Sequence, residues 1–104
     1  MITDCGRLYL EPNEMVTIVN RNGKEYDLCA RSWGFYATPS VNGRLVREGF
    51  CTALVRNRTG KVFVIIVEQT AREQFDSYLL QESSRVIEWL DERPLDTEEI
   101  SKHE

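Results

Sequence analysis

The stretch that decides the fold is residues 62–67, "VFVIIV". All six side chains are aliphatic or aromatic. An antiparallel strand with one wet face alternates apolar and polar residues, and this one does not. Both of its faces are therefore expected to be covered. Burying two additional Val or Ile side chains is worth about 3–6 kcal/mol, which disfavours exposure. A single helix covers only one face of a small sheet. The other face calls for curling into a half-barrel or for homodimerisation through the sheet, and the sequence does not choose between them.

Working outward, "CTALV" at 51–55 and "KVFVIIVE" at 61–68 flank "RNRTG" at 56–60, which predicts a hairpin with Gly60 in its turn. Upstream, "MVTIV" at 15–19 and "KEYDLC" at 24–29 flank "NRNG". There Asn22-Gly23 suggests a turn with positive φ at both central positions. A third pair is expected between "WGFYATP" at 33–39 and "GRLVREGF" at 43–50, turning at Asn42-Gly43. Pro39 ends the first of these strands, because proline cannot donate to a ladder. "RLYL" at 7–10 reads as an edge strand.

Downstream the period changes. Thr70-Ala71-Arg72-Glu73 has the S/T-x-x-E form of a capping box. At 100° per residue, Ala71, Phe75, Tyr78, Leu79, Val86, Trp89 and Leu90 fall on one stripe. One helix running to Pro94 is preferred to a break near "QESSR", although Glu82 and Ser83 interrupt the stripe. The expected fold is α+β: a twisted antiparallel β-sheet of about five or six strands, open or half-barrel, with one long C-terminal α-helix packed on it. Residues 1–94 form the single domain, and 95–104 a flexible acidic tail.

Composition narrows the function. With 104 residues, 41% hydrophobic and 29% charged, the chain suits one small soluble core. No basic start precedes an apolar run, so no secretory signal is visible. Cys5, Cys29 and Cys51 contain no C-x-x-C pair and read as free thiols in a reducing cytoplasm. "NRT" at 57–59 is then turn chemistry rather than a glycosylation acceptor. Residues 69–104 hold four basic against ten acidic side chains, whereas 31–61 hold six basic against Glu48 alone. The overall charge of −4 argues against a dedicated DNA-binding protein.

Common chemistries are missing. His103 is the only histidine, and no phosphate-loop glycine pattern occurs. No metal and no cofactor is expected. Glu25 with Asp27 and Glu73 with Asp76 are carboxylate pairs that read first as solvated residues. Cys29 and Cys51 read as small buried hydrophobes. Glu82 is either paired to an arginine at the core edge or a pocket carboxylate. The remaining candidate is "RSWGFYATPSVNGRLVREGF" at 31–50. Trp33 and Phe35 share one strand face and read first as core, with Tyr36 on the other face, outside or at the rim. Tyr36, Asn42, Arg44 and Arg47 could line a shallow anion-tolerant groove, with guanidinium groups forking a phosphate or carboxylate.

The preferred reading is a non-catalytic cytoplasmic binding or accessory domain, with a mildly basic β surface for an anionic small molecule or an acidic protein segment. Behind it stands a small metal-independent enzyme acting on a phosphorylated or carboxylated metabolite, with Tyr36, Arg44 and Glu25 or Glu82 at work. Single-stranded nucleic-acid binding ranks third. No membrane partner is expected.

Overall fold

The structure, a computed structural model, describes residues 1–93. Pro94, His103 and the tail at 95–104 lie outside the described residues. The chain divides into two compact units, Met1–Pro39 and Ser40–Glu104. Each is built on its own three-stranded antiparallel sheet. The expected single sheet is thus two sheets.

In the first unit β1 (Met15–Val19), β2 (Glu25–Arg31) and β3 (Gly34–Ala37) form a meander in that order. The β1–β2 turn differs in type from the expected one. Only Gly23 has positive φ, at 78°. Gly23 N–H donates to the Asn20 carbonyl at 3.0 Å and Asn20 N–H to the Lys24 carbonyl at 3.0 Å. This is a tight turn closed by a left-handed glycine, the second commonest hairpin device. Asn20 Oδ1 also accepts from Asn22 N–H and Lys24 N–H, as turn asparagines do. No strand forms at 7–10. Asn13, at φ 73°, diverts the chain just before β1, so "RLYL" never runs alongside it.

In the second unit α1 (Arg44–Arg47), β4 (Phe50–Arg56), β5 (Val62–Glu68), α2 (Arg72–Gln81) and β6 (Arg85–Trp89) follow in sequence. The sheet order is β5-β4-β6. The expected pairing of 33–39 with 43–50 is absent. β3 pairs with β2, and 44–47 form one helical turn. Ser40 is the reason: its Oγ accepts from Arg44 N–H at 2.9 Å and its carbonyl from Leu45 N–H at 3.0 Å. A Cβ at position 43 would lie 2.6 Å from that Oγ, so Gly43 serves close approach rather than a hairpin.

The hairpin of β4 and β5 is as expected, with Phe50↔Glu68 through Arg56↔Val62 in register. One face of it carries the core. Ala53, Val55 and Val67 pack with Phe75 and Leu79 of α2, and Ile65, Val86 and Trp89 close the cluster. Phe75 meets Trp89 edge to face with centroids 5.9 Å apart, and the Arg72 guanidinium stacks 3.8 Å from the Trp89 centroid. The expectation that 62–67 is shielded front and back fails for half of it. Val62, Phe63 and Val64 are 54%, 48% and 62% exposed. α2 reaches the Val67 end, and β5 is an edge strand, so its first half keeps an open side.

The long helix is also corrected. A 3-10 turn (Gln69–Ala71) leads into α2, whose N-terminus has no side-chain cap bond, so the Thr70–Glu73 box does not form. α2 then stops at Gln81. Ser83 sits at φ 52°, Ser84 N–H donates to the Leu79 carbonyl at 2.9 Å, and Ser83 N–H to that of Leu80 at 3.2 Å. This is the two-bond Schellman stop that usually uses glycine. "RVIEW" then runs as a strand against β4.

Candidate anion-binding site

The sequence-predicted groove residues lie in both units. Tyr36 is on β3 of the first, its ring 5.8 Å from the Arg31 guanidinium and 6.3 Å from the Trp33 ring. Trp33 and Phe35 are not core residues as expected: they are 69% and 75% exposed. Asn42, Arg44 and Arg47 belong to the second, at α1. Arg44 Nε donates to Glu48 at 3.2 Å, one helical turn on.

Of the carboxylate pairs, Glu25 and Asp27 differ in burial. Glu25 is exposed, whereas Asp27 is buried and accepts from Thr17 Oγ1 at 2.7 Å and Thr38 Oγ1 at 3.5 Å. Hydroxyl donors of this kind hold a buried carboxylate in place. Glu73 and Asp76 are exposed on α2. Cys29 and Cys51 are buried and Cys5 exposed, all three as free thiols. Burial pushes the Cys51 thiol above its usual range, with Asp91 adding to the rise. A thiol held protonated is a poor nucleophile. Among the described residues no cluster of His, Cys, Asp or Glu could hold a metal ion.

A wide, open concavity lies elsewhere in the second unit, at one end of its sheet. The β4–β5 turn and the α2–β6 turn together enclose a basin of about 490 Å³. Arg56, Arg58 and Arg85 line it with Asn57, Thr59, Ser83 and Ser84, and no carboxylate contributes. Local chemistry builds it. Asn57 Oδ1 accepts from Thr59 N–H, Thr59 Oγ1 and Lys61 N–H at 2.9–3.0 Å, which leaves its Nδ2 amide as the group to offer a ligand. Gly60, at φ 89°, closes the turn; a Cβ there would lie 3.6 Å from Arg56 Nη2, so the guanidinium rests against it.

β6 brings the third arginine by way of a bulge. Val86 pairs with Val55 and Glu88 with Leu54, so Ile87 is the extra residue. One consequence is that Val86 and Trp89 both face the core. The other is that Arg85 lands directly opposite Arg56. Like charges directly opposite are destabilising. Among the described residues no ion pair engages Arg56, Arg58 or Arg85.

A second cavity of about 390 Å³ adjoins the basin and shares Asn57, Arg58 and Ser84 with it. Its walls are Phe63, Val64, Ile65 and Tyr78, and Glu82 stands on its lining. Glu82 is therefore an exposed pocket carboxylate at the end of α2, not a core-edge residue.

The site is not visible in a helical reading of 81–85, because only the stop of α2 at Gln81 and the start of β6 at Arg85 bring Arg85 to the turn. The available signal was the excess of arginine at 56–58. Comparison with protein-family models, curated proteins and solved structures gives no match to this chain.

Proposed function

We propose that this protein is a non-catalytic cytoplasmic binding module whose basin at Arg56, Arg58 and Arg85 takes the anionic group of a small molecule. The observation that carries the reading is the Arg56–Arg85 cross-strand pair, two arginines opposite each other in register and lining one basin with a third. A bound phosphate or carboxylate turns that repulsion into bidentate, charge-assisted hydrogen bonds. Ser83 in left-handed backbone on the basin wall fits a site that stores strain for geometry. The adjoining cavity favours a small molecule over an acidic protein segment, since it gives the rest of the ligand a place to go.

The enzymatic reading has less support. Ser84 Oγ donates to the Glu82 backbone carbonyl at 3.3 Å rather than to a base. Nothing else in the basin pairs a nucleophile with a general base, and a catalytic site needs that contact. Single-stranded nucleic acid would instead bind with a steep salt dependence and a row of stacking aromatics.

The substitution Arg85→Glu tests the proposal with two opposed readouts. It exchanges a repulsive cross-strand pair for an attractive one with Arg56, so stability should rise by about 0.2–1 kcal/mol. Affinity for inorganic phosphate, followed by amide chemical shifts, should fall about tenfold or more. A wild-type protein whose shifts do not move in phosphate would overturn the reading.

Self-association through β5 belongs to the same proposal. Asn57 N–H donates to the Lys61 carbonyl and Gln69 N–H to that of Gly49. Odd-numbered residues of β5 thus turn their backbone groups to β4. Val62, Val64, Ile66 and Glu68 turn theirs outward to an edge that no described strand pairs. An apolar edge strand with no proline is a template for another strand. Two copies related by a twofold at Ile65 set Val64 of one against Ile66 of the other, and join the two sheets into one. Sedimentation should show a dimer in the wild type and a monomer for Val64→Lys, which puts a charge on the exposed face.

A further inference from the structure

Resting on the basin reading, we infer that the ligand is a phosphate monoester carrying a planar, amine-bearing ring, with the phosphate among the arginines and the ring in the adjoining cavity. The two concavities are continuous through Asn57, Arg58 and Ser84, so one molecule can occupy both. A cavity of about 390 Å³ falls in the range of small-ligand sites.

Its walls specify what enters. Phe63 and Tyr78 offer exposed ring faces, 48% and 50% accessible, where a flat group can stack. Val55 and Ile65, on the same sheet face, add apolar lining that disfavours a second charged group. Glu82 lies on the cavity lining but not on that of the basin. As a carboxylate it accepts hydrogen bonds only. It therefore repels a second phosphate in the cavity and rewards an N–H donor on the ring. Glu82, the C-cap of α2, is four residues after Tyr78 and its N–H donates to the Tyr78 carbonyl at 3.0 Å, so the two side chains leave the helix end on one side. Arg56 and Arg85 line only the basin, Glu82 lines only the cavity and Arg58 stands between them on both, so the site is polarised: most positive at the basin, aromatic with a hydrogen-bond acceptor at the far end of the cavity. A bare inorganic anion uses only half of it.

The test is a set of amide-shift titrations with inorganic phosphate, phenyl phosphate and adenosine 5′-monophosphate on the full chain. Affinity should rise in that order, with adenosine monophosphate about tenfold or more tighter than phosphate. Tyr78→Ala should remove most of the gain from the ring and leave phosphate binding unchanged; Tyr78 is half exposed and stands outside the buried cluster that holds α2. Glu82→Gln should narrow the gap between adenosine monophosphate and phenyl phosphate. If all three probes bind equally through the arginines, the ring site is wrong and the basin stands. If none binds, or binding survives Arg85→Glu, both readings fall.

Discussion

Two hairpins in this chain are closed by the same turn, and only one becomes a candidate site. Residues 20–24 read Asn-Arg-Asn-Gly-Lys and residues 57–61 read Asn-Arg-Thr-Gly-Lys. In each, the asparagine Oδ1 accepts from the backbone two and four residues on, and the glycine is left-handed. Their surroundings differ. The first turn follows Val19 and precedes Glu25, and its sheet centres on a buried Asp27 held by two threonines. The second follows Arg56 and receives Arg85 from β6, above a hydrophobic cluster closed by α2. Turn chemistry fixes where a hairpin bends, and the third strand decides what the bend can bind.

The largest expected effect separates the two cores. Phe75→Ala should cost the second unit about 3–5 kcal/mol. Trp89 reports on that unit and Trp33 on the first, so a Trp33→Phe background isolates the Trp89 signal in urea titrations. An unchanged midpoint would mean that the α2 cluster does not hold the second sheet.

Next come the glycines. Gly23→Ala and Gly60→Ala both force a Cβ into left-handed backbone and should each cost about 1–2 kcal/mol. Costs that differ by more than that range would show that the two turns are alike only in outline.

The smallest effect is in alkaline solution. Burial raises the Cys51 thiol in the second unit above its ordinary 9.0, and the Tyr26 phenol in the first above its ordinary 10.0. In both cases the folded protein holds its proton more firmly than the unfolded chain. Their contribution is complete below the ordinary values and is lost as pH climbs through the raised ones. Urea midpoints should begin to fall near pH 9, and Cys51→Ala should delay that onset.

Much of the second unit was legible in its sequence. "CTALV" and "KVFVIIVE" gave a hairpin through composition and a glycine turn, and the structure keeps it. Core membership was legible in part: Phe75, Leu79, Val86 and Trp89 pack in the cluster, whereas Tyr78 of the same stripe is 50% exposed. Their period misled. Val86 and Trp89 are three apart, as on a helix face, but they share a face because the bulge at Ile87 adds a residue to a strand. The helix stop was hidden as well, since the left-handed position holds Ser83 where glycine is the usual signal. At 40–49, a serine bonding the first turn of α1 outcompeted the Asn-Gly reading of the same letters. The basin needs β4, β5, α2 and β6 placed together, and no local pattern encodes that.

The two matching turns also differ in how they age. Asn-Gly pairs decay when the glycine nitrogen attacks the neighbouring side-chain amide, leaving isoaspartate. In the first hairpin that nitrogen is tied to the Asn20 carbonyl, so the folded form resists the reaction, and the second turn, with Thr59 at the matching position, has no such pair. Damage at Asn22 would then accumulate only in molecules that had opened, making that residue a chemical clock of past unfolding.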